Sequence, residues 1–197
     1  MWKLYNCYMA KTGKAHAGLT ESFHKKRVVY SGAVDFRADT VTLPNGRKAT
    51  RAYMEHPGAV AVLPVLDDGR IVFVRQYRYP VAEATLEIPA GKLNSISDKP
   101  LGRVKAELKE ETGYTAASIK PLISFWPTTA FSNEVLYIYT ASGLRGGTHQ
   151  NLDEDEFVNV EIMPFEKAWG LVKKGGIRDA KTIIALQAWK IKLLEKK

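Results

Sequence analysis

Glu87-Ile88-Pro89-Ala90-Gly91-Lys92 and, further along, Ala106-Glu107-Leu108-Lys109-Glu110-Glu111-Thr112-Gly113-Tyr114 are the two stretches on which the reading of this chain turns. In the second, Glu107, Glu110 and Glu111 stand at i, i+3 and i+4, which places three carboxylates on one face of one helical turn. Like charges that close repel, so an ordinary solvent face would lose stability by carrying them. A cation among them removes the objection. Hard oxygen donors on a rigid helix suit Mg²⁺ or Mn²⁺, commonly beside a substrate phosphate. The first stretch is short, apolar and ends in a glycine loop that can bring backbone close to that helix.

The surroundings of these stretches predict the architecture. A helix follows the glycine loop, with Asp98 near its N-cap, Pro100 in its first turn and Gly113 as its stop. Leu101, Val104 and Leu108 are its expected core stripe, with the glutamates on a neighbouring face. Upstream, residues 59–66 and 71–77 read as strands joined by Asp67-Asp68-Gly69. Downstream, residues 119–125, 135–139 and 158–162 read as strands, and 165–174 and 181–194 as helices, the last capped by Asp179. Residues 28–53 alternate like short strands, with Asn45-Gly46 as a hairpin turn. That block buries too little surface to stand alone, so it is expected to pack on something else, such as a partner subunit. Residues 1–24 carry little periodicity. The expected fold class is α+β, a mixed sheet with one helix inserted after the glycine loop and others late in the chain. The expected organisation is a strand region over 1–55 and a larger domain over 56–197.

Composition sets the outer bounds. The chain has 197 residues, 45% of them hydrophobic, enough for one well-cored domain with an appendage. No apolar run approaches the roughly 18 residues of a membrane span. No secretory leader is evident, and the single cysteine, Cys7, excludes an intrachain disulfide, so a reducing, cytoplasmic setting is expected. The formal net charge of +8 favours anionic partners. The basic residues are scattered, the densest being Lys25-Lys26-Arg27 and the tail, which argues against nucleic acid.

The segment from Gly91 to Tyr114 resembles the Nudix box, and Glu107 to Tyr114 matches its second half. Glu87 to Leu93, Phe131-Ser132-Asn133-Glu134, the acidic run 152–156 and Ile177-Arg178-Asp179-Ala180-Lys181-Thr182 are similar to the ADP-ribose pyrophosphatase branch of that superfamily. The resemblance implies a Nudix fold, a mixed β-sheet sandwiched between helices with a small N-terminal antiparallel β-sheet, and a Mg²⁺-dependent hydrolase, with Mn²⁺ as a substitute. Its substrate would be ADP-ribose or a related nucleoside diphosphate sugar. It also implies a homodimer that exchanges its N-terminal strands. Glu107, Glu110 and Glu111 would form the metal cluster, joined by the Ala90 carbonyl and by Glu156. GDP-mannose, another nucleotide sugar, or nucleotide binding without turnover are the alternatives.

A water nucleophile needs a base, and carboxylates already bound to metal are poor ones. The acidic run 153–156 is the natural supplier, and the resemblance places Glu154 at the base position. Arg78, at a strand end beside the glycine loop, is suited to gripping a diphosphate or ribose. Arg51 matches a substrate contact that comes from the partner subunit in the branch. Glu134 is suited to substrate hydroxyls, and Thr128 and Thr129 to the pocket wall. Trp126 lies beside that expected substrate loop. The histidines, Cys7 and the other tryptophans carry no constellation of their own.

Two departures from the box stand out. One extra residue lies between Gly91 and Glu111, which puts Asp98 at the first box glutamate. Ala106 stands where the box has an arginine, so the glutamates are expected to lack their positive neighbour, with Lys105 an imperfect stand-in.

Overall fold

The computed structural model describes residues 18–147, 149–152, 154 and 156–195. Asp153 and Asp155 of the acidic run, together with Trp2, Cys7 and His16, lie outside the described residues. Two compact units are present, one from residues 1–56 with 130–132, the other from 57–129 with 133–197.

The first unit is a four-stranded antiparallel sheet: β1 (Ser22–Lys25), β2 (Val28–Tyr30), β3 (Asp35–Thr42) and β4 (Lys48–Glu55). Strand β3 is its spine, with β4 on one edge and β1 and β2 sharing the other. Among the short strands expected over residues 28–53, β3 runs unbroken for eight residues, and β1 begins ahead of that block. Gly46 adopts φ 81° in the β3–β4 turn, a conformation that Asn-Gly supplies cheaply. Buried polar contacts tie these strands together. Asp39, 4% exposed, accepts from Arg27 N at 3.0 Å and Tyr53 OH at 3.2 Å, and pairs with Arg37, which also pairs with Glu55.

The second unit holds two sheets. Strands β5 (Ala59–Pro64), β8 (Ala90–Lys92), β9 (Tyr114–Phe125) and β10 (Leu136–Gly146) form a mixed sheet in the order β8-β5-β10-β9, in which only β5 and β10 run parallel. Strands β6 (Arg70–Arg78), β7 (Glu83–Glu87) and β11 (Val158–Pro164) form an antiparallel sheet in the order β11-β6-β7. The helices are α1 (Pro100–Thr112), α2 (Phe165–Lys173) and α3 (Ala180–Leu194).

Strand β5 is buried along its whole length because it is covered on both faces. Its period of two sends Val60 and Val62 toward Val104 and Leu108 of α1, and Ala59, Ala61 and Leu63 into the other core layer. That second layer gathers Ile71 and Phe73 of β6, Phe165 and Ala168 of α2, and Ala185 and Leu186 of α3. The mixed sheet therefore lies between α1 on one face and the three-stranded sheet with α2 and α3 on the other.

Two sequence expectations about α1 need correction. Leu101 is not core, being 43% exposed; Val104 and Leu108 form the buried stripe, and Glu107 and Glu111 are buried beside it. Asp98 does not cap the helix either. Lys99 is the N-cap and makes no side-chain cap bond, while Asp98 folds back on its own loop. Its carboxylate accepts from Asn94 N at 2.8 Å, Ser95 N at 3.1 Å and Ser95 Oγ at 2.9 Å. The loop that carries the additional residue is thus closed by an aspartate that serves the loop. Pro100 and Gly113 stand where expected, Gly113 with φ 72°.

Candidate active site

Helix α1 crosses the short strand β8, and the crossing brings Glu107 and Glu111 against Ala90 and Gly91. Glu107 is 4% exposed and Glu111 3%. Glu111 Oε2 accepts the Ala90 N–H at 3.1 Å. A Cβ at residue 91 would collide with the Glu107 carboxylate, so glycine is required there by close approach. Helical spacing therefore separates the three glutamates. Glu107 and Glu111 point inward at β8, and Glu110 stays half-exposed.

Burial is the leading electrostatic fact. It pushes the Glu107 carboxyl up to about 7, with Glu110 and Glu156 adding to the rise and Arg103 opposing it. It pushes Glu111 up to about 8, with Glu107 and Glu156 adding and the Ala90 N–H and Lys181 opposing. Two carboxylates held this way are costly as anions unless a cation joins them.

Arg103 is a cation the sequence reading missed. It pairs with Glu107 one turn along the helix and lies 3.4 Å from Glu110 Oε2. The expectation of no positive neighbour, drawn from Ala106, is corrected by this residue; Lys105 is exposed. The signal was present as an i, i+4 Arg–Glu spacing. Charge and alignment differ, however. Glu107 Oε1 touches the guanidinium but, among the described residues, has no aligned hydrogen bond, and the buried Arg103 Nε has no partner among them.

A second polar cluster, also unanticipated, lies where β6, β7 and α3 meet. Glu87, 1% exposed, accepts from Arg78 Nε and Nη2 at 2.7 Å each and from Thr85 Oγ1 at 2.5 Å, and pairs with Lys181. Burial alone would raise its carboxyl, yet these partners hold it down at about 2. Lys181 also meets Asp179 Oδ1 at 3.0 Å, and Asp179 caps α3 by accepting from Thr182 N at 3.0 Å. Arg78, expected to face a diphosphate, is clamped by this network. Glu134 is half-buried, and burial raises its carboxyl against the pull of Lys181.

The remaining expected residues are more dispersed. Glu154 and Glu156 are exposed; Glu156 is close enough for Glu107 and Glu111 to feel its charge. The segment that carries them is tethered to the end of α1. Gln150 Nε2 donates to Glu111 O at 2.5 Å and to Val158 O at 3.1 Å, and Asn151 N donates to Glu110 O at 2.9 Å. Thr128 is half-buried, while Thr129 and Trp126 are exposed. Arg51 belongs to the other unit, where Nε donates to Glu21 Oε2 at 2.9 Å. Ala90 is engaged through its N–H.

The NUDIX domain profile matches residues 55–186. This chain belongs to the NUDIX family. It is 40% identical over 176 residues to an ADP-ribose pyrophosphatase of Bacillus subtilis, covering 88% of this chain and 95% of that one. It is 40% identical over 165 residues to a methanol dehydrogenase activator of Bacillus methanolicus, covering 83% and 89% respectively. The fold of a solved ADP compounds hydrolase superposes with a TM-score of 0.72 at 19% identity, over 90% of this chain and 98% of that one. The α+β reading and the Nudix resemblance are both upheld.

NUDIX hydrolases generally work with divalent metal ions, and the residues can be tested against that need. Among the described residues, no three His, Cys, Asp or Glu side chains converge on one point as they stand. The donor chemistry nevertheless fits. Two buried carboxylates with raised protonation, one carrying a buried oxygen without an aligned hydrogen bond, lie in a cradle kept open by Gly91. Hard oxygens of that kind are donors for a hard cation. No helix is long and apolar enough to cross a membrane.

Proposed function

We propose that this NUDIX protein hydrolyses the diphosphate of ADP-ribose or a closely related nucleoside diphosphate sugar, releasing a nucleoside monophosphate and a sugar phosphate. The observation that carries the proposal is the buried Glu107–Glu111 pair against Gly91 and Ala90, an arrangement that is unfavourable without a cation. Glu107, Glu111 and the Ala90 carbonyl hold the ion, with Glu110 and Glu156 completing the acidic surround. Mg²⁺ is the expected ion and Mn²⁺ a substitute. When bound, such an ion screens the diphosphate charge and lowers the pKa of water.

The residues of the chain supply the rest. Glu154 takes a proton from the attacking water, whose oxygen bonds to one phosphorus while the bridging P–O bond breaks toward the other phosphate. Arg78 offers the guanidinium edge not used by Glu87 to phosphate oxygens. Glu134 orients substrate hydroxyls, and Thr128 and Thr129 line the pocket. Residues 1–55 serve dimerisation, and Arg51 reaches the partner's site. Support for the dimer comes from apolar side chains left uncovered on the first unit, among them Phe23 at 67% exposure, Val29 and Tyr30. The single cysteine supports a reducing, cytoplasmic setting.

Product analysis across ADP-ribose, GDP-mannose and other nucleoside diphosphate sugars, with Mg²⁺ and Mn²⁺ compared, tests this reading. AMP and ribose 5-phosphate from ADP-ribose are the expected products. Full activity in Glu111→Gln would remove the metal assignment. The likeness to the methanol dehydrogenase activator favours one second reading, in which the same chemistry raises the activity of a methanol dehydrogenase. Assaying such an enzyme with and without this chain tests it.

A further inference from the structure

Glu87 has no place in the chemistry described above, yet it is a fully buried anion at the edge of the site with three partners that make four contacts. It receives two parallel N–H bonds from Arg78, one hydroxyl from Thr85 and the ammonium of Lys181. Two strands and one helix meet on this carboxylate. The backbone beside it is fixed as well, because Ile88 N donates to Thr182 Oγ1 at 2.9 Å and that hydroxyl donates to Asp179 Oδ2 at 2.6 Å. Arg78, Lys181, Glu87 and Asp179 carry two charges of each sign. Such a cluster is balanced, and removing one member leaves an uncompensated charge in low dielectric.

The geometry of the arginine is what matters. A guanidinium has five N–H donors in one plane. Glu87 engages Nε and one N–H of Nη2, which leaves Nη1 and the second Nη2 hydrogen on the remaining edges. The Arg78 side chain is 43% exposed, whereas the Glu87 side chain is 2% exposed. The buried carboxylate therefore holds the flat cation from the protein side and leaves its outer edge to solvent. An arginine held this way gives up little rotamer freedom when an anion arrives.

We infer that Glu87 is a positioning residue, which holds the Arg78 guanidinium so that its outer edge receives the diphosphate of the substrate. It acts through Arg78 and does not touch the substrate. The inference rests on the proposed nucleoside diphosphate chemistry. It predicts a change in substrate binding, whereas a purely structural carboxylate would change stability alone.

Glu87→Gln, Arg78→Lys and the double variant test this, with kcat and KM measured on ADP-ribose and affinity for ADP measured by calorimetry. A lysine cannot be held by two parallel bonds, and a neutral glutamine cannot accept both. Each single variant raises KM about tenfold or more with kcat within about threefold, the scale of one lost charge-assisted contact. The double variant is no worse than either single, because both break the same unit. An unchanged KM in Glu87→Gln with a lowered Tm, or multiplied effects in the double variant, overturns the inference. If Glu87→Gln does not fold, Arg78→Lys and Thr85→Val decide: a raised KM in both supports the inference, and an unchanged KM in either overturns it. If the wild type hydrolyses none of the panel, the proposed function fails and calorimetry decides separately. ADP affinity weakened about tenfold in Glu87→Gln supports positioning, and equal affinity or no ADP binding overturns it.

Discussion

Glu111→Gln is expected to abolish hydrolysis and at the same time stabilise the metal-free protein, and the stabilisation depends on pH in a calculable way. The folded Glu111 carboxyl sits at about 8 against an ordinary value of 4.5. A raised carboxyl binds its proton more tightly folded than unfolded, so it costs nothing where both states are protonated. The cost grows as pH rises above the unfolded value and levels off above the folded one. It comes to roughly 1 kcal/mol near pH 5.5 and roughly 4–5 kcal/mol near pH 8.5, at about 1.4 kcal/mol per unit. Glutamine keeps the shape and the acceptor for Ala90 N–H but cannot ionise. The variant's advantage over wild type should therefore widen by about 3 kcal/mol between those two pH values, or about 6–12 °C in Tm for a chain of this size. Thermal unfolding of both proteins in chelator at the two pH values measures this. Added divalent ion should close the gap at the higher pH by stabilising the wild type alone. An advantage that is the same at both pH values, or a variant less stable throughout, would refute the claim that Glu111 is a strained buried anion.

Gly91→Ala places a Cβ into the Glu107 carboxylate and should lower kcat/KM by about 100-fold or more through displacement of that side chain; wild-type kinetics with retained Tm would contradict it. Glu87 has the opposite sign to Glu111. Its depressed carboxyl, about 2 against 4.5, gives stability that is fully present above about pH 4.5 and is lost as pH falls toward 2. Urea unfolding should show up to about 3 kcal/mol of acid-dependent loss that Glu87→Gln lacks. Phe23→Ser on the uncovered face of the first unit should shift a dimer toward monomer in sedimentation velocity, while an unchanged sedimentation coefficient would place the subunit contact elsewhere.

The helix and its glutamates were legible because they depend on local spacing, and the family because those stretches resemble a known motif. Glu107, Glu110 and Glu111 share a turn by arithmetic, Pro100 and Gly113 punctuate the helix by backbone chemistry, and β5 reads as a strand from residues 59–66. Three features were not legible. Leu101 looked like core by period but falls outside the face that β5 covers. Asp98 looked like a cap but satisfies its own loop instead, since a short acidic side chain serves whichever N–H groups come closest. Glu87 looked like one letter of a motif, because its partners Arg78 and Lys181 are distant in sequence and meet it only after folding.

By itself, then, the sequence determined that an acidic helix follows a glycine loop, that the chain is α+β, and that its chemistry is of the Nudix kind. The first two are properties of neighbouring residues, set by helical period, turn chemistry and charge repulsion; the third is what the resemblance to the Nudix box implies. Only the tertiary structure decided which glutamates are buried, that Arg103 stands in for the arginine missing at Ala106, and that Arg78 is held by a buried carboxylate. Those outcomes depend on which surfaces cover one another: burial raises both carboxyls, and the company each one keeps decides the net shift. Glu111, facing Glu107, is driven toward protonation, while Glu87, facing Arg78 and Lys181, is driven toward permanent charge.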